Sequence, residues 1–374
     1  MDVDQIVLRE INLPLVNAFE TSFGITQKRR ILLVEVHSGE TVGWGECVAG
    51  EGPYYGYETV DTAWTVLTQW IFPNVLDFSF ESPEELSSVV GMIRGHPMAK
   101  ACVEAALWDI HSQQLRVPLW RLIGGTREEI PCGASLGIQE NPEVLLDKIG
   151  QEIESGYQKI KIKIRPGWDI DIVQQVREYF SEIPLMVDAN SAYTLEDIEH
   201  LKQLDDYNLL MIEQPLPHDD LMNHAMLQEQ LKTPICLDES IRHVRDMALA
   251  YELKACQVVN IKIGRVGGLQ EARRVHDFCQ SSGIPVWCGG MLETGIGRAQ
   301  NIALSTLANF TIPGDVSASK RYYARDTVTP PIEVTNDGHI RPSRRPGIGY
   351  EPDLDCIDDC TVRRKEFTKR FLQH

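Results

Sequence analysis

Within residues 158–264, five short apolar runs each end at a charged side chain: Lys159-Ile-Lys161-Ile-Lys163, Met186-Val-Asp188-Ala-Asn190, Met211-Ile-Glu213-Gln-Pro215, Cys236-Leu-Asp238-Glu-Ser240 and Val259-Asn-Ile-Lys262-Ile-Gly264. Lys163, Asp188, Glu213, Asp238 and Lys262 are separated by 25, 25, 25 and 24 residues. A fixed period of this size marks a repeated supersecondary unit. Between the runs, apolar residues recur at three- and four-residue spacing, as in Ile172, Val173, Val176 and Phe180. Each unit therefore reads as a buried strand followed by a helix, and a series of them requires parallel strands. In a barrel of such units the C-terminal strand ends all point at one cavity. The period predicts that three carboxylates and two lysines meet at one barrel mouth.

Those residue types suggest a chemistry. Lys159, Lys161 and Lys163 alternate with isoleucines, and strand residues two apart share a face. Helices cover the outside of a barrel, so the isoleucines are expected outward and the cations inward. An ordinary lysine, with a pKa of roughly 10.4, is a poor base near neutrality. Burial, a second ammonium and a nearby metal all disfavour its charged form, which makes Lys163 the candidate base with Lys161 in support. Asp188, Glu213 and Asp238 are hard oxygen donors that would repel one another unless a divalent cation sat between them. Mg²⁺ suits such a set, with Mn²⁺ as a substitute. The ten histidines show no paired spacing at strand ends, which argues against zinc. Asn190 and Ser240, two residues beyond Asp188 and Asp238, are expected to face the same cavity, and Glu239 to point away. Lys262 stands opposite Lys163, so the two would flank a substrate. A cation gripping a carboxylate eases loss of the proton on the adjacent carbon by stabilising the charge that develops. A metal-dependent hydrolase would instead use histidine ligands, and a passive cation binder would be weakened by two lysines.

The rest of the chain frames this stretch. At 374 residues it fits a barrel plus a smaller domain. Residues 3–9 read as a strand, and 17–27 as a loop carrying Phe19 and Phe23. Arg30–His37 and Thr41–Val48 read as a hairpin, and 50–57 as a glycine-rich aromatic loop with Tyr54 and Tyr55. Helix-like segments follow near 58–70, 83–94 and 98–114, the last with Ala101, Ala105, Trp108 and Ser112 on one face. Residues 1–125 thus form an α+β domain, and 126–321 the barrel. The first barrel strand is expected at 130–137 with Ser135 near its end, and a weaker eighth position at 309–312. Residues 322–374 lose the period and are expected to run back to complete the first domain. A formal net charge of −18 would repel a phosphate backbone, so nucleic acid is excluded as a partner. No amphipathic basic stretch suits a membrane surface. Nine scattered cysteines and no visible signal peptide fit a reducing cytoplasm. Cys356 and Cys360 read as free thiols in a solvated acidic segment. The expected partners are a small-molecule carboxylate substrate and further copies of the chain in a homo-oligomer.

Lys161-Ile-Lys163, Asp188-Ala-Asn190, Glu213-Gln-Pro215, Asp238-Glu-Ser240 and Asn260-Ile-Lys262 resemble the enolase superfamily, muconate-lactonising subgroup. For that superfamily a Lys or His base with Mg²⁺ is a known arrangement. Pro166-Gly-Trp-Asp169, Gly264-Arg-Val-Gly-Gly268, Trp287-Cys-Gly-Gly-Met-Leu-Glu-Thr-Gly295 and Pro313-Gly-Asp315 resemble, more narrowly, the o-succinylbenzoate synthase / N-succinylamino acid racemase family. The resemblance covers nearly the whole chain. It implies an α/β fold, a (β/α)7β TIM-like barrel with an N-terminal α+β capping domain whose loops at 17–27 and 50–57 close over the mouth. It further implies Lys163 and Lys262 as catalytic groups and Asp188, Glu213 and Asp238 as metal ligands. Ser135, Asn190, Phe19, Phe23, Tyr54, Tyr55, Gly290, Met291 and Glu293 would then contact substrate. The synthase reaction dehydrates 2-succinyl-6-hydroxy-2,4-cyclohexadiene-1-carboxylate in menaquinone biosynthesis, with Lys163 as acid and base and Lys262 stabilising charge. The alternative, racemisation of N-succinyl or other N-acyl amino acids, needs both lysines as bases. Arg265 lies three residues after Lys262, where its guanidinium is expected to depress the pKa of that lysine.

Overall fold

The structure, a computed structural model, describes residues 1–369. Its first layer is an antiparallel sheet of β1 (Gln5–Thr21), β2 (Gly24–Ser38), β3 (Thr41–Cys47) and a strand near the far end of the chain, Thr361–Thr368, in the order Thr361–Thr368, β1, β2, β3. Alternation in β1 and β2 places Ile6, Leu8, Leu32, Val34 and Val36 on one buried face. That face packs on helix α1 (Pro97–Gln114) through Cys102, Val103 and Ala106. The helix can lie this close because β3 has no side chain at two positions. A Cβ on Gly45 would sit 1.8 Å from the Cys102 carbonyl oxygen, and one on Gly43 2.2 Å from that of Ala106. Ala101 and Trp108 turn the other way, into the large core shared with the barrel, so α1 is a layer between sheet and barrel.

The stretch 17–27, expected as a loop, is instead the end of the β1–β2 hairpin. Phe19 pairs with Thr26, Glu20 with Ile25 and Thr21 with Gly24, beyond an irregularity between Pro14 and Phe19. Pro14, Asn17 and Gly24 interrupt the apolar alternation that signals a strand, so the local pattern misses this extension.

The second sheet has seven parallel strands in sequential order: β4 (Gly133–Leu136), β5 (Lys159–Lys163), β6 (Leu185–Asp188), β7 (Ile212–Glu213), β8 (Ile235–Leu237), β9 (Val258–Ile261) and β10 (Val286–Cys288). Helices join most of them, including Pro142–Glu154, Ile170–Tyr179, Leu221–Gln230, Val244–Leu253 and Leu269–Ser281. The eighth position is extended chain rather than a regular strand. Phe310 bridges Val286 and Gly314 bridges Cys132, both in parallel. Gly133 N–H donates to the Gly314 carbonyl at 2.6 Å, and Asp315 N–H to that of Cys288 at 2.9 Å. Pro313 between the two bridges has no N–H to give to a ladder. The closed barrel is therefore (β/α)7β with an irregular eighth segment. No helix among the described residues is long and apolar enough to cross a membrane.

Candidate active site

Register brings the charged run ends together. Lys163 on β5 lies abreast of Asp188 on β6, which lies abreast of Glu213 on β7. Asp238 and Lys262 each follow the last residue of their strands, β8 and β9. All five are buried. Lys163 Nζ donates to Asp188 Oδ2 at 2.5 Å and to Asn190 Oδ1 at 2.7 Å. Lys161 Nζ reaches Asp315 Oδ2 at 2.6 Å, Glu213 Oε2 at 3.0 Å and Asp188 Oδ2 at 3.3 Å. Lys262 Nζ donates to Asp238 Oδ2 at 2.6 Å. The other oxygen of Asp238 accepts from Arg265 and, at 2.9 Å, from the Tyr55 hydroxyl. Asn260 Nδ2 donates to Glu213 Oε1 at 2.6 Å.

Crowding of like charges sets the electrostatics. Burial, then the neighbouring Asp188, push the Glu213 carboxyl up to about 8. Burial acts in the same sense on Asp188, but Lys163 and Lys161 beside it hold it well below the usual carboxylate range. Burial would lower Lys262, but the attraction of Asp238 prevails and raises it. The expected depression of Lys262 by Arg265 is thus not found in this arrangement. Asp238 lies between the two cations and outweighs their mutual repulsion.

The donor chemistry fits a hard divalent cation. Three carboxylates converge, and two further buried oxygens, Glu239 Oε2 and Asn260 Oδ1, have no hydrogen-bond partner. Among the described residues no three Asp, Glu, His or Cys side chains are already arranged as a ligand set, because each carboxylate here faces an ammonium or a guanidinium. Asp188, Glu213 and Asp238 are the carboxylates that could hold such an ion.

Several positions differ from the alternation argument. Glu239 does not point away: its Oε1 accepts from Asn190 Nδ2 at 3.1 Å. Ser240 is tied by Gln214 Nε2 at 2.8 Å, on a turn rather than a strand. Beyond the strand ends the chain takes left-handed conformations at Asn190 (φ 42°), Ser191 (φ 63°) and Gln214 (φ 39°), so period-two faces no longer apply. Ser135 is buried and lies abreast of Lys161. Tyr55 enters the site, whereas Phe23 is 40% exposed and stacks on the still more exposed Tyr54 at 6.4 Å. Phe19 is half-buried on the arm. Met291 packs into the core of the first layer with Tyr55, Gly290 lies against the Asp315 carbonyl, and Glu293 folds back to accept its own loop's Met291 N–H at 2.8 Å. Asp315, Lys159, Trp287 and Asn260 receive no individual role from the sequence, although all four stand in runs or motifs visible there: Lys159–Lys163, Asn260-Ile-Lys262, Trp287–Gly295 and Pro313-Gly-Asp315.

The arm is docked on the barrel rim. Ile138 N–H donates to the Glu20 carbonyl at 3.0 Å, Ser22 Oγ to that of Asn190 at 3.2 Å, and Arg165 pairs with Glu20 at 3.2 Å. Gly137 makes the approach possible, since a Cβ there would lie 2.7 Å from the Glu20 carbonyl oxygen and 2.8 Å from its nitrogen. Gly137→Ala is expected to lift the arm and raise KM while thermal unfolding stays near wild type. An unchanged KM would show that arm docking does not contribute to substrate retention.

The helix after β10, Gly295–Ser305, begins beside the mouth, where many barrels hold phosphate. Here its N–H groups are already taken. Glu46 from β3 accepts from Thr294 N at 3.0 Å and Gly297 N at 2.9 Å, and Asp326 from Gly295 N at 2.7 Å. The N–H groups of Thr294, Gly295 and Gly297 are therefore not free to receive a phosphate at this helix start.

Comparison with known proteins agrees with this geometry. Residues 5–124 match the mandelate racemase / muconate lactonizing enzyme N-terminal domain, and residues 145–356 the enolase C-terminal domain-like family. The chain is 49% identical to an o-succinylbenzoate synthase from Geobacillus stearothermophilus over 98% of each chain. It is 45% identical to an N-succinylamino acid racemase from an Amycolatopsis species, over 97% of this chain and 99% of that one. A crystal structure of an enolase superfamily member from Listeria innocua superposes with a TM-score of 0.95 at 40% identity, covering 99% of this chain and all of that one. The chain belongs to the enolase superfamily, in the o-succinylbenzoate synthase / N-succinylamino acid racemase family.

Proposed function

We propose that this chain is an o-succinylbenzoate synthase that dehydrates 2-succinyl-6-hydroxy-2,4-cyclohexadiene-1-carboxylate for menaquinone biosynthesis, using Mg²⁺, for which Mn²⁺ substitutes. The observation that carries the reading is the ordered wall Lys163, Asp188, Glu213, Asp238, Lys262 along strands β5–β9. It sets one lysine on each side of three carboxylates, and relatives at 49% identity bear the synthase name. A divalent metal held by Asp188, Glu213 and Asp238 would supply positive charge that stabilises the substrate carboxylate as negative charge develops.

The chain's own groups do the rest. Lys163, aimed by Asn190 Oδ1, removes the proton from the carbon next to the carboxylate and returns it to the departing hydroxide. One C–H and one C–O bond break, a C=C bond forms, and water leaves. Lys161 and Lys262 balance the charge that develops on the carboxylate, with Arg265 keeping Asp238 oriented. Ser135, Asn190, Gly290, Met291, Glu293 and Tyr55 border the substrate, and Phe19 and Phe23 stand further out on the arm. Residues 1–125, completed by the segment 322–374, of which 370–374 lie outside the described residues, form the capping domain over a catalytic domain of 126–321. The enzyme works in the cytoplasm as a homo-oligomer.

A second reading, N-succinylamino acid racemase, is favoured by the 45% identical relative of that name and by the two opposed lysines. Both activities are measured on one purified preparation with Mg²⁺. Turnover of the cyclohexadiene substrate well above that of N-succinylamino acids supports the synthase as the main activity, and the reverse ratio overturns it. Tyr55→Ala is expected to lower kcat/KM without changing the far-UV circular dichroism, because Tyr55 joins the loop at 50–57 to Asp238. Equal kcat/KM across a substrate panel would remove Tyr55 from the pocket.

A further inference from the structure

Beneath the mouth lies a second charged layer that the reaction does not use directly. Lys159 is completely buried, and its ammonium has no hydrogen-bond partner. It stands 3.3 Å from Asp315 Oδ1 and 3.8 Å above the ring of Trp287. Met186, Met211, Cys236 and Val258 pack round that ring to make an apolar floor. The other oxygen of Asp315 meets Lys161 at 2.6 Å, closer than Glu213 or Asp188 does. Asp315 thus links the two lower lysines of β5, and it comes from the irregular eighth segment, held by its own N–H on the Cys288 carbonyl.

We infer that Asp315 is a positioning residue that sets the divalent-cation affinity of the site by pairing with Lys161, whose ammonium otherwise answers only Asp188 and Glu213. The inference rests on the reading of those two carboxylates as metal ligands. Lys161 shares their oxygens, so it competes directly with a cation for them. When a divalent ion takes those oxygens, an ammonium at 3.0–3.3 Å from both is left facing more positive charge. In so poorly solvated a place that repulsion is large. A third carboxylate on the far side gives Lys161 a counter-charge that the cation does not claim. Lys159, steadied over the Trp287 ring, gives Asp315 a second counter-cation in the floor. Asp315 itself is separated from the metal face by Lys161, so it acts through that lysine.

The test measures Mn²⁺ binding to the full-length enzyme by electron paramagnetic resonance and calorimetry, with thermal unfolding alongside. Asp315→Asn alone would strand Lys159, so the informative variant is the charge-balanced pair Lys159→Met with Asp315→Asn. It is expected to fold and to bind Mn²⁺ about 10- to 100-fold more weakly, the range typical of groups behind metal ligands. Lys159→Met alone leaves Asp315 wholly to Lys161 and removes a cation from under the site, so it is expected to bind Mn²⁺ more tightly than wild type. A folded double variant with wild-type affinity overturns the inference and assigns the layer to sealing the floor. If the double variant does not fold, Lys159→Met decides, and unchanged or weaker binding overturns the inference. Wild-type protein that binds no Mn²⁺ overturns the metal reading itself, and this inference with it.

Discussion

Lys163→Arg is expected to lose dehydration by about 100- to 10,000-fold, the usual contribution of a general acid–base group. Arginine keeps the charge that pairs with Asp188 Oδ2 and Asn190 Oδ1, but it stays protonated and cannot take a proton. Loss of rate with the fold retained therefore isolates proton transfer from charge. Lys262→Arg is a contrast. If Lys262 only balances charge in the dehydration, its replacement keeps part of that activity, since Asp238 retains a cationic partner. Racemisation separates the pair differently. Lys163→Ala should stop exchange of the α-proton in one enantiomer of an N-succinylamino acid and Lys262→Ala in the other, while either variant stops racemisation. Both variants are followed by deuterium exchange in D₂O and by the dehydration assay. Substantial dehydration by Lys163→Arg would contradict Lys163 as the acid and base and remove β5 from the centre of the mechanism.

Chelation is expected to abolish both activities, and Mg²⁺ or Mn²⁺ to restore them. Asp188, Glu213 and Asp238 are buried together, with Glu213 pushed up to about 8 by burial and by Asp188. A divalent ion relieves that crowding, so its removal costs more than a bystander ion's would. Asp238→Asn should weaken Mn²⁺ binding beyond the ~10- to 100-fold typical of groups that only support ligands. It also leaves Lys262 and Arg265 facing a neutral amide. Removing one partner of a buried pair costs about 3–5 kcal/mol, so thermal stability should fall as well. Full activity in excess chelator, with no metal retained by elemental analysis, would show that proton abstraction here needs no cation.

How much of this was legible in the sequence depends on where each residue sits relative to a strand end. The 25-residue period alone brought Lys163, Asp188 and Glu213 to one rim, and the register places them abreast on three adjacent strands. Inside a strand the side-chain period is two, so a run such as Lys159-Ile-Lys161-Ile-Lys163 fixes which residues face the interior. Past the strand end that rule fails. The left-handed turns at Asn190 and Gln214 re-aim the chain, which is how Glu239 comes to bond Asn190. Pro14 and Gly24 break local alternation, so the pattern over 17–27 signals a loop where the structure has a paired arm. Only its docking on Gly137 and Ile138 shows the close approach of backbone to backbone. Electrostatic partnership was the least legible feature. Arg265 follows Lys262 closely in sequence, yet Asp238 from the neighbouring strand lies between their charges and reverses the expected effect. Asp315, on an eighth segment too irregular to carry a strand signal, meets lysines more than 150 residues earlier in the chain. Sequence period determined which residues reach the mouth, because it is a property of the repeating unit. Tertiary structure decided which charge answers which, because that depends on distances across the closed barrel.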